Sequence, residues 1–354
     1  MALLLASTDF WEDMDVWSKG LRLAMPEIDI RVYPDDGDVN EVEFAVVWKH
    51  PRGILKKYPN LKAILSLGAG VDHIISDPDL PKGLPIVRLV DKKLTHEMCL
   101  HALHWVLHFH SDQYLYRIQQ SRSEWTQQSS IQSEDRTIGI MGLGNIGKSI
   151  GDSLVNLDFN VIGWGATKKK SMDGIHYYYG KDQLTDFLNK TNILINVLPL
   201  TQATTNLVTK KEMLSLPKGT FIINIGRGNI INEIDLLSLL DDGHIAAAAL
   251  DVFEKEPLPE NNSLWNHPLV YITPHIAGQS NPNSASKTIS KNIYRIKNVE
   301  HCVKSDNTQR CGHLKIQRQM QRLWSAPVQP LGNRPGQRRG CQRQAHPQTR
   351  QAPQ

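Results

Sequence analysis

Residues 137–147 set a strand, a glycine turn and a helix start in immediate succession: Thr137-Ile138-Gly139-Ile140-Met141, then Gly142-Leu143-Gly144-Asn145-Ile146-Gly147. The spacing is G-x-G-x-x-G, a weak pattern alone and an informative one after a strand and before a helix. The first glycine permits a tight turn, and the second lets backbone amides approach a pyrophosphate. The third lets the helix pack closely on the strand, while the helix N-terminus supplies partial positive charge. A helical run (148–157) and a second strand (161–164) come next. The segment therefore reads as the opening of a dinucleotide-binding βαβ unit, with Gly142, Gly144, Asn145, Ile146 and Gly147 against the cofactor.

The turn after the second strand bears on cofactor choice. An NAD site carries Asp or Glu about 20 residues beyond the fingerprint, where it accepts from the ribose hydroxyl. This chain has Gly165-Ala166-Thr167-Lys168-Lys169-Lys170 there. Without the carboxylate, and with three ammonium groups beside it, a 2′-phosphate is favoured, so NADPH is expected over NADH.

Short apolar strands alternate with helical stretches through residues 1–280, the pattern of parallel α/β sheets. Strands are expected at 2–6, 28–32, 45–48, 63–66 and 85–87, then at 137–141, 161–164, 193–197, 220–224, 246–250 and 270–273. The run 95–120 holds no Gly or Pro and reads as one long helix joining two domains. Charge is uneven: from His301 onward ten Lys or Arg face the single acid Asp306, while the whole chain of 354 residues carries only +4. The body is thus net negative and gives no reason to expect nucleic-acid binding. No stretch approaches the ~20 apolar residues of a membrane helix. Cys99, Cys302, Cys311 and Cys341 form no C-x-x-C pair, which supports neither a disulfide framework nor a zinc site. The body reads as cytoplasmic, with no metal required. Past about residue 299, Gln, Arg, Pro and Gly dominate, a composition too poor in apolar surface to offset chain entropy.

Three strand ends carry chemistry: Asn224-Ile225-Gly226-Arg227-Gly228, Leu250-Asp251-Val252-Phe253-Glu254-Lys255-Glu256-Pro257 and Thr273-Pro274-His275. Ligands of open α/β sheets bind beyond the carboxyl ends of strands, so Arg227, Glu256 and His275 can converge there.

With Gly68-Ala69-Gly70-Val71-Asp72 and Asn196-Val197-Leu198-Pro199-Leu200-Thr201, these motifs make the chain resemble the D-isomer-specific 2-hydroxyacid dehydrogenases over roughly residues 1–298. Trp48-x-x-Pro51 and the acid-free Gly165 turn point within them to the glyoxylate/hydroxypyruvate reductase A subgroup. The resemblance implies two Rossmann-like domains. A NAD(P)-binding domain (101–280) is inserted within a flavodoxin-like substrate domain (1–100, completed by about 281–298), and 299–354 form a disordered basic tail. It implies reduction of small 2-keto acids, glyoxylate to glycolate and hydroxypyruvate to D-glycerate, by a homodimer with no membrane contact. The alternatives are a dinucleotide-sensing, corepressor-like binding protein and a phosphoglycerate- or D-lactate-type dehydrogenase.

By the same resemblance Arg227 holds the substrate carboxylate and keto oxygen, with a planar fork suited to paired oxygens. His275 is the general acid and Glu256 its hydrogen-bond partner. Trp48 and the Ala69, Gly70 and Val71 backbone bind substrate. Thr167, Lys168, Lys169, Leu198, Pro199, Ile225 and Asp251 border the cofactor, with Asp251 near the nicotinamide amide. The subgroup often has Arg at the position of Ala166, so 2′-phosphate binding would fall to Thr167 and the lysines.

Overall fold

A computed structural model of the protein describes residues 1–8, 13–169 and 172–304, the last six of these by backbone only. Lys170 and residues 305–354 of the expected tail lie outside the described residues. Helix formation continues to Lys304, so the first six residues (299–304) of the tail expected to be disordered are helical.

Two all-parallel sheets organise the chain. The first contains β1 (Ala2–Ser7), β2 (Asp29–Val32), β3 (Val42–Trp48), β4 (Ala63–Ser66) and β5 (Ile86–Val87), in the order β2-β1-β3-β4-β5. The second contains β6 (Thr137–Met141), β7 (Asn160–Gly165), β8 (Ile175–Tyr179), β9 (Ile193–Asn196), β10 (Thr220–Asn224), β11 (Ile245–Leu250) and β12 (Val270–Ile272). Its order is β12-β11-β10-β9-β6-β7-β8. These are the flavodoxin-like and Rossmann strand orders, each reversing direction at a switch point beside its first strand. Helices cover both faces, so central strands are mostly apolar and every residue of β4, β9 and β10 is buried.

β8 is an element that sequence reading missed. Its Ile-His-Tyr-Tyr-Tyr run comes shortly after the basic turn, at a sheet edge where the apolar signal is weak.

The expected long helix is two. α3 (Lys92–His110) ends at Ser111, whose hydroxyl donates back to Leu107 O at 2.6 Å, and Asp112 turns left-handed at φ 52° before α4 (Gln113–Ser121). Short polar residues reach that conformation without Gly or Pro, which is why their absence did not keep the helix whole. α3 sends Leu94, Met98, Ala102, Val106 and Phe109 into a core shared by both sheets.

α9 (Pro282–Lys304) seats Ala285, Ile289 and Ile293 at four-residue steps inside and packs on α1 (Met14–Ala24). The approach is close: a Cβ on Gly20 would lie 2.9 Å from Ser286 Oγ, and Ser290 Oγ donates to Ala24 O. No helix among the described residues is long and apolar enough to cross a membrane.

Candidate active site

The glycine turn after β6 has the geometry of a phosphate cradle. Gly142 adopts φ 101° and donates to Trp164 O, and a Cβ at Gly147 would fall 2.1 Å from Gly142 O, so no side chain fits there. Gly144 caps α5 (Asn145–Val155) with open space before it. Among the described residues the amides of Leu143, Gly144, Asn145 and Ile146 have no acceptor. An oxyanion at the start of this helix would meet unpaired donors and the positive end of its dipole. Leu198 and the carbonyl of Val197 close the opposite side, within 3.2 Å of where a Gly142 Cβ would stand. Leu198 and Ile225 are buried, while Pro199 is exposed.

The basic turn is tied to this cradle. Lys169 Nζ donates to Leu143 O and lies 5.8 Å from the Tyr177 ring, and desolvation holds its pKa below the ordinary lysine value. Tyr177 donates to Thr167 O at 3.0 Å. A Cβ at Gly165 would stand 2.4 Å from the Tyr177 hydroxyl, so β8 itself occupies the room an acid would need. Lys168 Nζ lies 5.9 Å from the Tyr179 ring, on the face of β8 that also carries Tyr177.

At the carboxyl ends of β4 and β10 the two sheets meet. Arg227 donates from Nε to Asp72 Oδ1 at 3.0 Å, its Nη2 is 3.0 Å from the same oxygen, and Nη1 donates to Gly226 O at 2.8 Å. Nη1 and Nη2 each keep at least one hydrogen uncommitted, which a carboxylate can accept. Gly70 lets the arginine come this close, since a Cβ there would be 1.8 Å from Nη2. Trp48 leans over Gly68 and tilts against His73 with ring centres 4.4 Å apart. Burial pushes the His73 imidazole down to about 4, leaving it neutral near pH 7.

His275 and Glu256 form the second half of the site. His275 Nδ1 is 2.8 Å from Glu256 Oε2, and Glu256 Oε1 accepts from Phe253 N at 3.1 Å. The carboxylate can only accept, so Nδ1 carries the hydrogen and Nε2 is left for a ligand. Burial alone would raise the Glu256 pKa. The hydrogen bond and charge of His275, the Phe253 amide and Lys49 outweigh it, and the net direction is down. Gly228 joins the halves, because its bare Cα lets the Arg227 loop reach the Phe253 backbone.

Asp251, only 1% exposed, accepts from Thr273 Oγ1 (2.6 Å), Ile276 N (2.8 Å) and Ala277 N (2.9 Å), so its carboxylate ties the β11 end to the loop that carries His275. Its carbonyl also takes His275 N at 2.8 Å. These bonds hold His275 at φ 56°, a conformation costly for a non-glycine residue unless its surroundings impose it. Sequence reading passed over Tyr177 and did not count Asp72 as a site residue. The acid next to the glycine loop was the available signal for Asp72. No motif marks the tyrosine.

The NAD-binding-domain model of the D-isomer specific 2-hydroxyacid dehydrogenases matches residues 103–277. A solved member from Xanthobacter autotrophicus Py2, in complex with NADPH and MES, is 35% identical with a TM-score of 0.80, over 84% of this chain and 94% of that one. The chain belongs to this family. Its members are NAD(P)-dependent oxidoreductases, and so is this protein. The NADPH-dependent glyoxylate/hydroxypyruvate reductase of Sinorhizobium meliloti, solved with NADP and sulfate, is 30% identical with a TM-score of 0.76, over 86% of this chain and 95% of that one. A probable 2-hydroxyacid dehydrogenase from Rhizobium etli CFN 42, with NADP, HEPES and L(+)-tartaric acid, is 34% identical with a TM-score of 0.77, over 84% and 95%.

Proposed function

We propose that this dehydrogenase is an NADPH-preferring reductase of small 2-keto acids, turning glyoxylate into glycolate and hydroxypyruvate into D-glycerate. The observation that carries the reading is the Arg227 fork at the Gly70 loop, joined through Gly228 and Phe253 to a His275–Glu256 pair. Preference for NADPH is supported by the side chain-free Gly165, the lysines beside the glycine turn, and the nucleotides bound in the three relatives.

The bound cofactor supplies the hydride, and the protein supplies position and charge. The free N–H pair of Arg227 and the Gly70 and Val71 amides hold the carboxylate, and the arginine draws electron density from the keto oxygen. His275 Nε2 gives that oxygen its proton as the carbonyl carbon is reduced, and takes it back in the oxidative direction. Glu256 keeps Nδ1 protonated and stabilises the imidazolium before transfer. Trp48 limits the space beside the loop, which favours substrates of two or three carbons.

We also read the active form as a homodimer. Trp125 is fully exposed, Ile131 is 45% exposed, and no residue of α4 is buried, so the segment leading into β6 leaves apolar surface open. Initial rates with NADPH and NADH across glyoxylate, hydroxypyruvate and pyruvate test the catalytic reading. Equal kcat/KM for the two cofactors removes the preference, and no turnover of any 2-keto acid removes the function.

A further inference from the structure

Two side chains behind the glycine loop hold two consecutive peptides by their oxygens. Arg88, just past the carboxyl end of β5, donates to Ala69 O from Nε at 3.2 Å and from Nη2 at 3.1 Å. The hydroxyl of Ser66, 1% exposed, donates to Gly70 O at 2.8 Å and accepts from Gly68 N at 3.2 Å. Neither peptide is cis. In a planar trans peptide the C=O and N–H point in opposite directions. Fixing Ala69 O therefore aims the Gly70 N–H, and fixing Gly70 O aims the Val71 N–H. Neither amide has an acceptor among the described residues. Both lie in the loop that Arg227 approaches so closely at Gly70.

We propose that Arg88 is a positioning residue for the substrate carboxylate, aiming and polarising the Gly70 amide while Ser66 does the same for Val71. A cation on a carbonyl oxygen draws electron density through the peptide and strengthens its N–H as a donor. A neutral hydroxyl does so less, which gives the arginine the larger share. Arg88 pairs with no carboxylate among the described residues, so its charge remains available to the loop. That charge is near enough to Arg227 for the two to oppose each other, with Asp72 the one carboxylate paired there. Three N–H groups of Arg88 stay uncommitted, and the side chain is exposed, so its replacement leaves the core intact.

The inference rests on the proposed reading of this loop as a carboxylate site, and the test separates the two. Oxalate, an unreactive carboxylate, is titrated calorimetrically into the NADP-saturated protein, alongside glyoxylate kinetics with NADPH. Arg88→Gln should raise the oxalate Kd and the glyoxylate KM about tenfold or more, the weight of one charge-assisted hydrogen bond. It should change kcat much less and leave NADPH affinity and melting temperature at parental values. Arg88→Lys, which keeps the charge but offers one donor nitrogen in place of two, should recover part of the loss. An unchanged oxalate Kd in Arg88→Gln overturns the inference. So does a loss matched by falling NADPH affinity and melting temperature, which would make Arg88 scaffold alone. If the parent binds oxalate but reduces no 2-keto acid, the functional reading fails while the oxalate arm still decides the role of Arg88. A parent that binds no oxalate overturns the inference outright.

Discussion

Replacing Gly70 by alanine puts one methyl group where Arg227 now stands. The new Cβ would be 1.8 Å from Arg227 Nη2, against the 3.4 Å at which ordinary contact begins, so the guanidinium must retreat by roughly 1.6 Å. Gly70 does not adopt a left-handed conformation, so alanine brings a purely steric change and no backbone strain. The retreat also pulls Nε and Nη2 off Asp72, which fixes the fork through a single oxygen at 3.0 Å. Displacing a substrate-positioning group by ~1 Å costs about a hundredfold in rate, and this shift is larger. Gly70→Ala should therefore lower kcat/KM for glyoxylate by about two orders of magnitude or more. NADPH binding should persist, because the nucleotide cradle lies at the end of β6 and not at Gly70. Steady-state kinetics and nucleotide titration by tryptophan fluorescence provide the two readouts. Near-parental kcat/KM would refute the assignment of Arg227 to the substrate, whatever happened to stability.

His275→Gln should lower kcat by ~10²–10⁴-fold, the usual contribution of a positioned acid, with NADPH binding unchanged in the same titration. Gly165→Asp should weaken both cofactors, because Tyr177 fills the space. In a Tyr177→Ala background the same acid should turn preference toward NADH, read as the ratio of the two kcat/KM values. His73 is neutral in the fold down to about pH 4, whereas unfolded histidine protonates near 6.5. Below pH 6.5 the unfolded chain therefore binds more protons, and stability falls as pH drops from 6.5 to about 4. At ~1.4 kcal/mol per unit the loss is of order 3 kcal/mol, and urea titrations of His73→Asn against parent should show a flatter acid limb. Trp125→Glu should shift a dimer to monomer in light scattering at micromolar concentration, and an unchanged mass would remove Trp125 from the contact.

Most strands were legible because parallel sheets bury both faces and leave short apolar runs, as in Ala63–Ser66 and Thr220–Asn224. β8 was not, since an edge strand rich in tyrosine carries little of that signal. The break at Asp112 was hidden because the left-handed turn uses Ser and Asp, residues that helices also contain. His275, Glu256 and Arg227 could be picked out as charged groups at strand ends. The three donors that Asp251 accepts from were not legible in the sequence, because they come from a loop 22 to 26 residues away. The same holds for Tyr177 at Gly165, where cross-strand packing sets what the glycine position can accept.

The seat of α9 on α1 has a consequence for how the chain acquires its structure. The Rossmann sheet is drawn from one continuous stretch, Thr137 to Ile272, and its strands meet neighbours near in sequence. The sheet that carries Gly70 and Trp48 lies almost wholly in the first 87 residues, yet the helix covering α1 begins at Pro282. During synthesis the amino-terminal half must wait for some two hundred residues before Ala285, Ile289 and Ile293 emerge to cover it. Contacts of such long separation are slow to form. The Rossmann sheet should thus be protected from hydrogen exchange first, and the Gly70 loop should reach its final protection only after α9 has docked.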